Sequence, residues 1–147
     1  MKYEGTINIK APQEEVWEFL TNPDSVSQCA PGLKSVEVVV PNQKFNCVAA
    51  IEFGSLSTTF TNDVEFLEQV PPDKAVVKVR GTAPGSAVDV TSEMLLSADA
   101  EGGTDLNWTA DIVVVGTIAS LASRMMGGIT KKMTGVFFEC VKSKIET

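Results

Sequence analysis

Few side chains in this chain are of types that do covalent or acid–base chemistry. Histidine is absent, which removes the commonest general base and the commonest neutral metal ligand. A serine–histidine or cysteine–histidine nucleophile is therefore excluded, and so is a histidine-ligated metal. Asp89, Glu93, Asp105 and Asp111 could serve as paired acids, but such a pair needs a shared pocket. The alternation around them puts most of these carboxylates on the wet side of their strands. Tyr3 is the one tyrosine, and Thr58, Asn62 and Ser92 are the clearest other polar groups expected to point inward. Cys29, Cys47 and Cys140 are odd in number, far apart and without a CxxC pair. They read as reduced, mostly buried thiols rather than a disulfide frame or a zinc site. No phosphate loop, dinucleotide fingerprint or metal-ligand spacing is present. Any enzymatic chemistry left open would work by shape and hydrogen bonding rather than through a strong base or nucleophile.

The other chemistry available is apolar binding, and it depends on the elements that would shape a cavity. From Thr117 to Ile145 the chain reads TIASLASRMMGGITKKMTGVFFECVKSKI. Ile118, Leu121, Ala122, Met125, Ile129, Met133, Val136, Phe137 and Cys140 recur mostly at spacings of three and four, as one face of a helix does. Such a helix is about 40 Å long at roughly 1.5 Å per residue. Its methionines are flexible and polarizable, and its small residues Ala119, Ala122, Gly127 and Gly128 leave space unfilled. Gly127 and Gly128 mark either a hinge or a close approach to a neighbouring loop, each costing roughly 1 kcal/mol against alanine.

Most of what precedes this helix alternates with the period of a strand. Tyr3, Gly5, Ile7 and Ile9 share one face of the first strand. Pro12, Glu14 and Glu15 begin a short helix through Leu20, which Asn22-Pro23 stops. A second short helix runs to Cys29 and ends in Ala30-Pro31-Gly32. Strands follow at Val36 to Val40, Phe45 to Phe53, Leu56 to Phe66, Ala75 to Arg80, Val88 to Ala98 and Leu106 to Val114, separated by Pro-, Gly- and Asn-rich turns. One-sided alternation implies an antiparallel sheet with one dry face. The terminal helix is the only element long enough to cover it.

The chain has 147 residues, 44% apolar and 21% charged, which fits one soluble domain spanning 1–147. No run is long and apolar enough for a membrane span, and MKYEGTINIKAP lacks the apolar core of a signal peptide. The expected location is cytoplasmic. The net charge of −7 argues against a nucleic-acid partner. It is unevenly placed: residues 117–147 hold 5 basic and 2 acidic side chains, against 7 and 17 in residues 1–116. A basic stripe of Arg124, Lys131 and Lys142, with Phe138 beside it, is either a solvated face or a contact surface for an acidic partner or anionic membrane.

The order of strand, two short helices, about six strands and long helix resembles the START-like (SRPBCC) helix-grip superfamily. Within it the chain is similar to the family of the carbon monoxide dehydrogenase G subunit. The residues carrying the likeness are Ala11-Pro12, Val16-Trp17, Asn22-Pro23-Asp24, Cys29-Ala30-Pro31-Gly32, Glu101-Gly102-Gly103-Thr104, Lys131-Lys132 and Phe137-Phe138. The resemblance implies an α+β fold, a curved seven-stranded antiparallel sheet wrapped around the last helix, with an apolar cavity between them. It implies a non-catalytic accessory protein of a molybdenum-containing carbon monoxide dehydrogenase or a related hydroxylase. The implied ligand is lipid-like or quinone-like, with no covalently bound cofactor, and the implied roles include membrane recruitment. The superfamily also holds polyketide cyclases and lipid carriers. Many family members carry a C-terminal linker and apolar tail, whereas this sequence stops at Thr147, so no direct membrane anchor is expected within it.

The expected cavity lining is Phe53, Phe60, Met94, Trp108, Ile112, Leu121, Met125, Ile129 and Met133. Pro31 and Gly32 are expected at its mouth. Arg124, Lys131, Phe138 and Lys142 are expected to be at least partly exposed on the outer helix face. An apolar carrier is the first reading, a cyclase or aromatase the second, and a recruitment protein the third.

Overall fold

The computed structural model describes residues 1–53 and 56–146, the side chain of Phe53 excepted. The chain begins with strand β1 (Lys2–Ile9), followed by helices α1 (Gln13–Thr21) and α2 (Pro23–Val26) and a short 3₁₀ turn (Ser27–Cys29). Strands β2 (Leu33–Val40), β3 (Lys44–Phe53), β4 (Leu56–Val70), β5 (Lys74–Ala83), β6 (Ser86–Ala98) and β7 (Thr104–Gly116) come next, and helix α3 (Ala119–Ile145) ends the fold. This is the helix-grip architecture expected from the sequence. β2 begins earlier and β4 ends later than the alternation alone suggests.

Local chemistry sets the boundaries. Pro12 caps α1, whose first turn carries Glu14 and Glu15 at the positive end of the dipole. The Asn22 side chain accepts the Asp24 N–H at 3.0 Å and starts α2. Gly116 has φ +96°, and a Cβ there would collide with the Gly85 carbonyl. Thr117 N–H donates to that same carbonyl at 3.0 Å, which fixes the turn from β7 into α3.

The sheet order is β1-β7-β6-β5-β4-β3-β2, antiparallel at every pairing. β2 to β7 form a sequential meander, and β1 adds to its far edge. The segment of α1, α2 and the 3₁₀ turn carries the chain from one edge to the other. Inward residues recur at every second position, as the pleat requires.

The core falls into three clusters rather than one. The first joins β1, α1, the 3₁₀ turn and the C-terminal part of α3 through Ile9, Val16, Leu20, Cys29, Leu96, Leu106, Phe138 and Val141. Each large side chain buried there contributes about 1.5–3 kcal/mol. The second joins Phe60, Ile112, Ile118, Ala122 and Met126, and the third Phe45, Cys47 and Val64.

The buried side of α3 is not the straight face expected from the sequence. Ile118, Ala122, Met126 and Thr130 are buried, followed by Phe138 and Val141. A step of four residues overshoots one turn by about 40°. A stripe built of such steps winds around the helix, so the two ends bury different sides. Phe138 is therefore buried at 7% exposure, and its expected place on the outer surface is corrected. Val136, counted with the inner face, is 49% exposed. The cause is a change of partner: β7 and β4 at one end, α1 and the 3₁₀ turn at the other.

The expectation of three reduced thiols is also corrected. Cys29 and Cys140 form a disulfide across 111 residues, with Cα atoms 5.5 Å apart. Distance along the sequence cannot reveal that the 3₁₀ turn docks against the end of α3. Cys47 remains free and buried.

Candidate functional site

Between α3 and the sheet lies a cavity of about 430 Å³, partly open to solvent. Its volume falls within the roughly 300–1,000 Å³ usual for small-molecule sites. Residues of all three core clusters border it, which explains why the core is divided. Its floor consists of alternate residues of five strands. β3 supplies Phe45, Cys47, Ala49 and Ile51, and β4 supplies Phe60, Asn62, Val64 and Phe66. β5 supplies Val77, Val79 and Gly81, β6 Val88, Val90, Ser92 and Met94, and β7 Trp108, Ala110 and Ile112. α3 forms the roof with Met126, Ile129, Thr130, Met133, Thr134, Phe137 and Phe138. Leu20, Val26, Ser27, Ala30 and Pro31 close one side.

The rings of Phe137 and Phe138 meet edge to face with centroids 5.0 Å apart. The disulfide joins the chain segments of the side wall and the roof: Ser27 and Ala30 flank Cys29, and Phe137 and Phe138 precede Cys140. It ties those two surfaces of the cavity together.

Of the residues expected to line a cavity, the structure brings together Phe60, Met94, Trp108, Ile112, Ile129 and Met133. Leu121 and Met125 are half-buried but do not line it, because the inner stripe of α3 passes through Ala122 and Met126. The side chain of Phe53 lies outside the described residues. Pro31 borders the cavity, whereas Gly32 does not. Gly32 has φ +71°, and its carbonyl accepts the Ala50 N–H at 3.0 Å, so it serves the turn into β2. Arg124 and Lys131 are exposed and Lys142 is half-buried. Met126, Thr130 and Thr134 were missed; the winding i, i+4 row was the signal that could have found them.

The candidate acids stand outside. Asp89 accepts two hydrogen bonds from Arg80, at 2.9 and 2.7 Å, and Glu93 lies 4.0 Å from Lys74. Asp105 accepts from Asn8 at 2.9 Å, and Asp111 lies 3.8 Å from the terminal amine. None of the four lines the cavity. Among the described residues, the thiol in its wall is that of Cys47. Burial pushes this thiol up from its ordinary value, opposed in smaller measure by a hydrogen bond with Asn62. It is therefore held neutral near pH 7 and is a poor nucleophile there. Among the described residues no three His, Cys, Asp or Glu side chains are grouped to hold a metal ion. No helix among them is long and apolar enough to cross a membrane.

The family comes from the sequence match. Residues 5–146 match the model of the carbon monoxide dehydrogenase G subunit (CoxG). The chain belongs to this family. No curated protein matches it. Among solved structures, a conserved protein from Geobacillus kaustophilus is 26% identical with a TM-score of 0.89, covering 98% of this chain and 94% of its own. The Zhui aromatase/cyclase from Streptomyces sp. R1128 is 17% identical with a TM-score of 0.74, covering 98% and 92%. The di-domain aromatase/cyclase BexL of the BE-7585A biosynthetic pathway is 16% identical with a TM-score of 0.68, covering 100% of this chain and 50% of its own. The last two establish likeness of fold.

Proposed function

We propose that the protein binds and carries an apolar, lipid-like or quinone-like molecule beneath α3, as a non-catalytic accessory to a carbon monoxide dehydrogenase-type molybdenum enzyme. The observation that carries the reading is the apolar cavity of about 430 Å³ in a chain of the CoxG family. Burial of apolar ligand surface supplies the affinity, at about 25 cal/mol per Å². The absence of histidine and the outward position of the candidate carboxylates favour carriage over turnover. Arg124, Lys131 and Lys142, on the basic side of α3, meet the partner enzyme or the membrane face.

A second reading, a cyclase or aromatase acting on an apolar substrate, draws on Asn62 and Ser92 in the cavity wall. The deciding experiment is denaturing extraction of the purified protein followed by mass spectrometry. A stoichiometric neutral lipid or quinone released unchanged supports the carrier. Conversion of the extracted compound by fresh protein would replace it with the enzyme. A protein free of any ligand, and unable to take up quinone or lipid probes, would overturn both.

A further inference from the structure

Among the described residues, the hydroxyl and amide side chains that border the cavity are Ser27, Asn62, Ser92, Thr130 and Thr134. Four of them offer it little. Ser92 Oγ donates to the Thr109 carbonyl at 2.8 Å, and Thr134 Oγ1 to the Thr130 carbonyl at 2.8 Å. Ser27 Oγ points to the Asp24 carbonyl at 3.5 Å and the residue is buried. The Thr130 hydroxyl has no partner, but its oxygen is shielded from the open space.

Asn62 differs. It occupies an inward position of β4 between Phe60 and Val64, where the alternation calls for an apolar residue. It is only half-buried. Its Nδ2 has two long carbonyl contacts, to Phe60 at 3.3 Å and Cys47 at 3.4 Å, beside the side chain's hydrogen bond with the Cys47 thiol. Both carbonyl contacts exceed the usual 2.9–3.0 Å or so of an N–H···O bond, so they hold the amide only weakly. Across the ladder stands Gly81, and a Cβ there would come within 2.5 Å of Asn62 Oδ1. The missing side chain at Gly81 is what leaves room for the carboxamide. An amide in an apolar wall is unfavourable unless a partner arrives.

We propose that Asn62 is the polar anchor of the cavity, donating an N–H to the carbonyl oxygen of a neutral, otherwise apolar ligand of ketone or quinone type. The inference rests on the carrier reading and sharpens its ligand class. Among the described residues no lysine or arginine lines the cavity, so a carboxylate or phosphate head placed there would be buried without a counter-charge. Free fatty acids and phospholipids are therefore disfavoured with their heads inside, and neutral carbonyl compounds are favoured.

The test uses three probes of one outline: fluorenone, fluorene, and fluorene bearing a carboxylate. Binding is followed by quenching of tryptophan fluorescence, since Trp108 lines the cavity. Asn62→Leu should weaken fluorenone binding roughly tenfold, the scale of one lost hydrogen bond, and leave fluorene unchanged or tighter. The carboxylate should bind wild type more weakly than fluorenone. The infrared carbonyl stretch of bound fluorenone should lie lower in wild type than in Asn62→Leu. Gly81→Ala, which crowds the carboxamide without removing it, should show the same selective loss and decides the matter if Asn62→Leu does not fold. Equal weakening of fluorenone and fluorene, or an unchanged carbonyl stretch, would overturn the anchor while leaving the carrier. Failure of wild type to bind any of the three would overturn both.

Discussion

The C-terminal turns of α3 are clamped, whereas its middle roofs the cavity. Around Phe138 and Val141 the helix packs against α1, β1 and the 3₁₀ turn, and the disulfide at Cys140 fastens it there. Around Met126 and Ile129 it roofs open space, and the exposed Gly127 and Gly128 have nothing within 4 Å of where a Cβ would stand. Among the described residues, nothing packs closely on this glycine pair. What differs between the two regions is the partner, not the composition: both carry apolar and small residues. The contrast teaches that a binding fold can concentrate its stability at one end of a helix and leave its middle to accommodate a ligand.

Breaking the clamped end should have the largest effect. Phe138→Ala is expected to cost about 3–5 kcal/mol, as truncation of a buried aromatic does. Met133→Ala, at a half-buried residue already facing the cavity, should cost distinctly less. Denaturant unfolding of both variants makes the comparison, and equal losses would abolish the distinction between packed end and roof.

Removing the disulfide should come next. The double change Cys29→Ser and Cys140→Ser is expected to lower stability by about 2–4 kcal/mol. Hydrogen exchange should rise more in residues 134–145 than in 119–129, because only the former are tied to the 3₁₀ turn. A uniform rise along α3 would mean that the bond stabilises the whole helix alike.

A smaller gain is expected in the roof. Gly127→Ala and Gly128→Ala meet no obstacle, so each should stabilise by about 0.4–1 kcal/mol through a less flexible unfolded chain and better helix propensity. If the glycines serve as a hinge, ligand exchange should slow in these variants while equilibrium affinity changes little. Exchange measured by stopped-flow quenching tests this, and unchanged rates would leave the pair as a simple weak point.

The smallest effect on folding belongs to the exposed side of the same helix. Lys131→Glu should alter stability by no more than about 0.5 kcal/mol. Its binding to anionic vesicles, or to the dehydrogenase proposed as its partner, should fall, more so at low salt. Identical salt curves for wild type and variant would reduce this stripe to a solvated surface.

Much of this was legible in the sequence. Period-two alternation and the turn residues gave the strands and their inward faces, since the pleat admits only one such pattern. The α3 residues recur at helical spacing, and the short-helix stops at Asn22-Pro23 and Pro31-Gly32 lie where backbone chemistry demands them. Six of the residues expected in the lining do border the cavity. Asn62 stood out as a polar exception in an apolar row, but its significance depends on Gly81, a neighbour only through the ladder. Three things belonged to the tertiary structure alone. The winding of the buried stripe, which turned Phe138 inward, depends on which elements α3 meets along its length. The Cys29–Cys140 bond depends on docking between segments 111 residues apart. The cavity itself depends on how far the sheet curves away from α3. The sequence determines which side chains can share a face; only the packed fold decides which faces meet, because that is settled by the joint fit of elements remote from one another in the chain.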